Sequence, residues 1–192
     1  MEFIAQGLLR FDQEVFLLIN QKLHFGLLDP IMRFLSDPPR FLWIPIVCIA
    51  GLLVLFAAGP RARTTAILAV LAVSMADPIA YRLMKPVVGR KRPNHPDYLV
   101  AQGRFSFGYN RSLTYPSNHA ANAAAAARIV SFAFPYAGWV GLGICLAVGC
   151  SRVYLGQHFP LDILGGFLLG ILLAEILNAV FVRFPFPRRN YR

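Results

Sequence analysis

The feature that most constrains this chain is its series of long apolar runs, each near the length that a helix needs to cross a bilayer. A spanning helix takes about 20 apolar residues, and a membrane interior admits only helices or closed barrels, because backbone polar groups find no water there. Helical spans are predicted at residues 41–59, 64–84, 119–134, 136–150 and 163–182. We therefore expect an all-α, polytopic membrane helix bundle of about five transmembrane helices, or six if the N-terminal segment also crosses.

The charge pattern supports the same class of protein. Only 15% of the 192 residues are charged, whereas about a quarter are charged in an ordinary soluble domain. The net charge of +10 suits a membrane surface or an anionic substrate. Nucleic acid is not expected as a partner, because the basic residues interrupt apolar spans instead of covering one soluble face. The length indicates a single domain over residues 1–192.

The first 40 residues differ from the apolar runs, because polar residues are interleaved with Phe, Leu, Val and Ile. Asp12, Glu14 and Asn20 would be costly in hydrocarbon, so we expect an amphipathic helix that lies in the membrane interface. A poor transmembrane helix shielded by its neighbours is the alternative, and the sequence leaves open whether residues 11–35 span the membrane. The transmembrane bundle then covers residues 41–183, and residues 184–192 form a basic tail.

The order of the spans places two polar segments on one side of the membrane. Two crossings separate residues 85–118 from residues 151–162, so both segments lie at the same face. Arg61, Arg63 and the basic tail lie at the opposite face, which the excess of arginine indicates to be cytoplasmic. We therefore predict a multi-pass protein of the inner (plasma) membrane whose polar site faces the periplasmic, extracytoplasmic side.

Three clusters of polar residues fall on that common face. They are Lys85 with Arg92-Pro93, then Pro116-Ser117-Asn118-His119, and finally Ser151-Arg152 with His158 and Asp162. Lys and Arg bind phosphate oxygens well, since guanidinium presents a planar fork of donors and ammonium a point charge. Ser117 and Asn118 precede a predicted helix start, where backbone N–H groups attract anions. The clusters together predict a phosphate site.

The histidines supply the chemistry that such a site needs. His119 and His158 can divide the roles of nucleophile and acid, and Asp162 is spaced to accept an imidazole N–H of His158. Taken singly, each polar residue could instead be an interfacial anchor, a helix cap or a first-turn carboxylate. The coincidence of all three clusters on one face favours catalysis. No metal or cofactor is expected, because the chain offers no carboxylate cluster.

These motifs resemble those of the type 2 phosphatidic acid phosphatase family, the vanadium haloperoxidase-like phosphatases. That family carries a Lys, six residues and Arg-Pro; then Pro-Ser-Gly-His; then Ser-Arg, five residues, His, three residues and Asp. The first and third motifs match in full, and the second departs only at Asn118, where Gly is usual. Because Asn tolerates unusual backbone angles, we expect the backbone N–H contact with phosphate to survive.

The resemblance implies a role for each residue of a metal-independent lipid phosphatase. His158 attacks phosphorus and becomes a phosphohistidine, Asp162 orients it, and His119 protonates the leaving oxygen and later activates water. The residues that hold the phosphate oxygens are Lys85, Arg92, Ser117, Asn118 and Arg152.

The motifs do not identify which lipid carries the phosphate. Undecaprenyl diphosphate is the favoured substrate, and lipid A 1-phosphate, phosphatidylglycerol phosphate, phosphatidic acid and transfer of phosphate to another acceptor are the alternatives. Four extra cations suit a diphosphate or a bis-phosphorylated headgroup: Arg90, Lys91, Arg104 and Arg111. A transporter or lipid-binding protein and a soluble haloperoxidase are the rival classes. The His158–Asp162 pair argues against the first of these, and the apolar spans argue against the second.

Charged residues inside the predicted spans are costly and usually paired. Arg128 and Glu175 lie roughly 13 and 20 Å below the starts of their helices, at about 1.5 Å per residue. We predict that the two side chains pair, and that Asp77 steadies the first basic motif or pairs with another donor. The alanine run at residues 123–127 predicts close packing between helices.

Overall fold

Helices account for most of this computed structural model, which describes residues 2–37 and 43–182. The helices are α1 (Glu2–Leu17), α2 (Asp29–Ser36), α3 (Trp43–Ala57), α4 (Pro60–Pro78), α5 (Lys85–Val88), α6 (Asn118–Ala133), α7 (Pro135–Tyr154) and α8 (Pro160–Val182). A π-helical turn, Leu18–Lys22, extends α1, and another, Ile79–Met84, joins α4 to α5. A 3-10 turn, Gly26–Leu28, leads into α2. Two short antiparallel strands, β1 (Asn94–His95) and β2 (Tyr98–Leu99), lie in the loop between α5 and α6. The predicted all-α class is confirmed.

Three segments of the described chain are long and apolar enough to cross a membrane. They are Pro60–Val88, Pro135–Tyr154 and Pro160–Phe181. The other two predicted spans coincide with helices α3 and α6, which have 15 and 16 residues. Each of the five predicted apolar runs therefore contains a helix, while the number of crossings stays a prediction. The basic tail lies outside the described residues.

Helix α6 lies at the centre of the bundle and packs against α4, α7 and α8. Small side chains permit this position, and Ala121 and Ala125 are fully buried. On α8 the facing residues are glycines: a Cβ added at Gly170 would lie 2.2 Å from the Ala121 carbonyl oxygen, and one at Gly166 would lie 2.5 Å from the Ser117 oxygen. The close helix packing predicted from the alanine run is thus confirmed.

The helices α6 and α8 run side by side with their starts at different heights. Asp162 in the first turn of α8 accepts, through its backbone oxygen, a 2.9 Å hydrogen bond from the N–H of Ser117, which precedes α6. Further along, Arg128 Nε lies 2.7 Å from Glu175 Oε1, which confirms the predicted pair. The sequence placed Glu175 deeper than Arg128 because each depth was counted from the start of its own helix. The two charges lie at one level, since Asp162 stands about one turn above His119.

The N-terminal helix packs one face on the bundle. Asp12, Phe16 and Asn20 are four residues apart, so they share a helix face, and all three are buried. The ring of Phe16 packs at a tilt of 58° against that of Phe159, which follows His158, with the ring centres 5.4 Å apart. Asn20 donates hydrogen bonds to the Arg104 and Tyr154 carbonyls. The helix that the sequence predicted is therefore part of the bundle's support, and its place relative to the membrane stays a prediction.

Candidate active site

The three sequence clusters meet at one end of the bundle, as the topology predicted. Helix α5 and the loop after it bring Lys85 and Arg92, and the turn between α7 and α8 brings His158. The hydrogen bond from the Ser117 N–H to the Asp162 carbonyl joins the start of α6 directly to the start of α8. Lys85, Arg92, Ser117, Arg152, His158 and Asp162 are all buried there.

The contacts of His158 fix the tautomer of its imidazole. Arg92 Nη1 lies 3.2 Å from His158 Nε2, and because guanidinium can only donate, Nε2 must be the unprotonated nitrogen. The proton is therefore on Nδ1, which donates to the Thr114 hydroxyl oxygen at 2.9 Å. Burial, followed by the positive charges of Arg92, Arg152 and Lys85, holds the pKa of His158 well below its ordinary value. A neutral imidazole with an unprotonated Nε2 is the form that a nucleophile requires.

Thr114 stands between His158 and Asp162, where the sequence predicted a direct contact. The Nδ1–Oδ2 distance between them is 3.5 Å, which is long for a hydrogen bond. Thr114 Oγ1 instead donates to Asp162 Oδ2 at 2.5 Å while it accepts from His158. Sequence reasoning missed this residue. Its one signal was a position three residues before Ser117, and spacing in a loop does not predict side-chain direction.

Asp162 is held in place by more than this bridge. Its Oδ2 also accepts from the Phe159 N–H at 2.8 Å, and its Oδ1 accepts from Arg90 Nη1 at 2.9 Å. The second Arg90 nitrogen, Nη2, donates to Asp12 on α1. Arg90 is therefore committed to two carboxylates, and its assignment as an extra headgroup cation is wrong.

Three buried cations surround the nucleophile, and carboxylates act on them only from beyond ion-pair distance in the described part of the chain. Lys85, Arg92 and Arg152 have exposed fractions of 5%, 6% and 8%, and none forms an ion pair within the described part of the chain. Arg92 is held by Ser112 and by the Gln157 carbonyl. Burial is the first cause that lowers the pKa of Arg92, to about 10, so the side chain stays charged at neutral pH.

Arg152 is oriented from one side only. Its Nη1 donates to Ser36 at the end of α2, at 2.6 Å to the hydroxyl and 3.1 Å to the carbonyl. Its Nε is buried and has no hydrogen-bond partner among the described residues. A buried donor without an acceptor is costly in a folded protein, so this geometry suits an anion that supplies the missing acceptor.

The start of α6 carries the second histidine. Ser117 is the N-cap and its hydroxyl accepts from the Ala120 N–H at 3.5 Å. His119 follows in the first turn with its side chain exposed at the same end of the bundle. An imidazole there can exchange a proton with a group bound among the cations.

Asn118, which replaces the usual glycine, uses its side chain in a contact with another helix. Its Nδ2 donates to Asp77 Oδ1 at 2.7 Å, so Asp77 has the partner that the sequence did not identify. Contact between the backbone N–H of Asn118 and phosphate stays a prediction. In the part of the chain that the structure describes, no three His, Cys, Asp or Glu side chains converge as metal ligands would.

Comparison with known proteins identifies the family of this chain. A family model described as the PAP2 superfamily matches residues 63–185. The undecaprenyl-diphosphatase of Sulfolobus acidocaldarius is 32% identical, over 83% of this chain and 73% of the relative. The lipid A 4'-phosphatase of Porphyromonas gingivalis is 27% identical, over 95% and 76%. The transmembrane PAP2 type phosphatidylglycerolphosphate phosphatase of Bacillus subtilis has the same fold, with a TM-score of 0.70 at 21% identity over 97% of this chain and 90% of that one.

Proposed function

This chain belongs to the PAP2 superfamily, and from that premise we propose that it hydrolyses a membrane lipid phosphate through a phosphohistidine formed at His158. Similar proteins are named as phosphatases of membrane lipids, and this chain is a lipid phosphatase of the membrane. The proposal concerns the intermediate, the roles of the residues, the substrate and the orientation.

The observation that carries the proposal is the set of three buried cations around a neutral nucleophile, none of which has an ion pair in the described part of the chain. Buried charges without partners are unfavourable, and a phosphate dianion between Lys85, Arg92 and Arg152 would balance them. It would also supply the acceptor that Arg152 Nε lacks. The same cations would stabilise the charge on the phosphoryl oxygens in the transition state, together with the backbone N–H of Asn118; the N–H of Ser117 is already bonded to the Asp162 carbonyl.

The reaction then has two steps with balanced atoms. In the first, His158 Nε2 attacks phosphorus, the bond from phosphorus to the lipid oxygen breaks, and His119 gives its proton to that oxygen. The imidazole becomes cationic, and its Nδ1–H is stabilised by Thr114 and, through it, by the Asp162 carboxylate. In the second, His119 takes a proton from water, the water oxygen forms a bond to phosphorus, and the N–P bond breaks to restore neutral His158.

We favour undecaprenyl diphosphate as the substrate, and the name of the relative from Sulfolobus acidocaldarius supports this choice. The relatives named for lipid A and phosphatidylglycerol phosphate keep lipid A 1-phosphate and phosphatidylglycerol phosphate as alternatives. Phosphatidic acid is the fourth candidate, from the motif resemblance alone. Phosphate release from these four lipids in detergent micelles would rank them. Product analysis with lipid acceptors present would separate hydrolysis from phosphate transfer.

We also infer that the site faces the extracytoplasmic side of the inner membrane. The arginines at the opposite end support this orientation, since Arg61 donates to the Ala133 carbonyl at the far end of α6. Reporter fusions at Arg192 and in the loop at 94–115 test it. A cytoplasmic location of that loop would contradict the orientation and leave the chemistry unaffected.

The central test is the His158→Ala variant. We expect it to lose turnover and the acid-labile, base-stable phosphoenzyme, whereas His24→Gln, outside the site, retains both. EDTA is expected to leave the rate unchanged, because the cations of the chain hold the phosphate. A fully active His158→Ala protein would contradict the mechanism, and a loss with EDTA that magnesium restores would point to another class of phosphatase.

A further inference from the structure

The N-terminal helix reaches the catalytic carboxylate through a chain of buried charges. Asp12 on α1 is 1% exposed, and its Oδ2 accepts from Arg90 Nη2. The other Arg90 nitrogen, Nη1, donates to Asp162 Oδ1 at 2.9 Å. One guanidinium thus joins two carboxylates that are far apart in sequence, and one of them is bonded to the bridge that holds His158.

The same helix also holds the backbone next to the nucleophile. Asp12 Oδ1 accepts from the Leu161 N–H at 2.8 Å, in the first turn of α8. Arg90 is fixed from a third side, because its guanidinium carbon lies 4.3 Å above the centre of the Phe159 ring. The two carboxylate oxygens of Asp12 therefore have different roles: Oδ1 anchors the start of α8, and Oδ2 orients Arg90.

We propose that Asp12 is a positioning residue for catalysis, acting through Arg90 on Asp162; this inference rests on the proposed function of His158. The three charged groups sum to one negative charge when Asp12 is ionised. This net negative charge attracts the positive charge that develops on the imidazole as the phosphohistidine forms. It therefore stabilises the transition state more than the resting enzyme. Without it, Arg90 pairs with Asp162 alone, and the carboxylate becomes a weaker acceptor for Thr114.

The Asp12→Asn variant separates this electrostatic role from the structural one. Asparagine keeps an oxygen that can accept from the Leu161 N–H, but it removes the charge that faces Arg90. We expect kcat and the single-turnover rate of phosphoenzyme formation to fall about tenfold, which corresponds to about 1.4 kcal/mol in the activation barrier. KM is expected to stay the same or decrease, because the resting imidazole is neutral. Glu14→Gln, an exposed carboxylate on the same helix, is the matched control.

A double-mutant cycle makes the test independent of folding. Because Asp12 acts through Arg90, Asp12→Asn should cause no further loss in an Arg90→Gln background. Equal single-turnover rates in wild type and Asp12→Asn, or full additivity of the two substitutions, would overturn the proposal. A wild-type enzyme that forms no phosphohistidine would contradict the proposed function instead, so the two failures are distinguishable.

Discussion

Thr114 is the residue on which the orientation of the nucleophile depends. In many hydrolases a carboxylate holds the catalytic imidazole directly, but here a hydroxyl lies between the two groups, 2.9 Å from His158 Nδ1 and 2.5 Å from Asp162 Oδ2. A hydroxyl can do this because it donates and accepts at once. The negative charge of Asp162 still reaches the imidazole, through a polarised O–H.

We expect Thr114→Val to lower kcat by about ten- to a hundredfold, because a buried donor on His158 and a buried acceptor on Asp162 lose their partner at about 1–3 kcal/mol. Thr114→Ser should restore most of the rate, since the hydroxyl returns. Steady-state kinetics on detergent-solubilised protein measure both. Thr65→Val is the control, because Thr65 is equally buried and bonds only within its own helix. An unimpaired Thr114→Val enzyme would show that the bridge has no catalytic role.

Among the helices, the pair α6 and α8 sets the geometry of the site. One carries His119 in its first turn, the other carries Asp162, and their backbones approach closely because glycine and alanine face each other. Membrane helices associate mainly through such close packing, since lipid is as apolar as the side chains. The Arg128–Glu175 pair, with Arg128 Nη2 at 2.6 Å from Oε1, holds the same two helices at a lower level.

Gly170→Ala should therefore destabilise the protein by about 1–3 kcal/mol, the usual cost of overpacking. The added Cβ would lie 2.2 Å from the Ala121 carbonyl oxygen and 2.8 Å from the Ala125 nitrogen, both backbone atoms that cannot move aside. Thermal unfolding in detergent measures the change. Gly143→Ala on α7 meets no atom within 4 Å and should leave the midpoint unchanged or slightly higher. If the two variants unfold alike, the contact between α6 and α8 is not tight.

At the scale of the whole molecule, the site is an assembly of cations from separate parts of the fold. Lys85 belongs to α5, Arg92 to the loop after it and Arg152 to the end of α7. The bundle must hold these like charges together against their repulsion and away from water. An anion that binds among them therefore stabilises the folded state of the entire chain.

Inorganic phosphate should raise the unfolding temperature accordingly. At a concentration one hundred times its Kd, a ligand that binds only the folded state adds about 2.7 kcal/mol. Thermal unfolding with phosphate, compared with sodium chloride at equal ionic strength, measures this effect, and Arg152→Gln should reduce it. Stabilisation equal to that by chloride would mean that the buried cations do not form a phosphate site.

The sequence by itself determined the class of fold, the face of the membrane-spanning bundle that carries the polar clusters, and the kind of chemistry. These depend on apolar run length and motif spacing, which are local properties of the chain. Pairing of Arg128 with Glu175 was also predictable, because a charge at membrane depth requires a partner.

Only the tertiary structure decided which side chains touch. Thr114 bridges His158 and Asp162, and Arg90 binds two carboxylates instead of the substrate. The side chain of Asn118 bonds to Asp77, and Asp12 on the first helix bonds to Arg90. Each of these outcomes depends on the direction of a side chain and on the relative height of packed helices. Neither quantity is encoded in local spacing, because both are set when distant segments compete for the same buried partners.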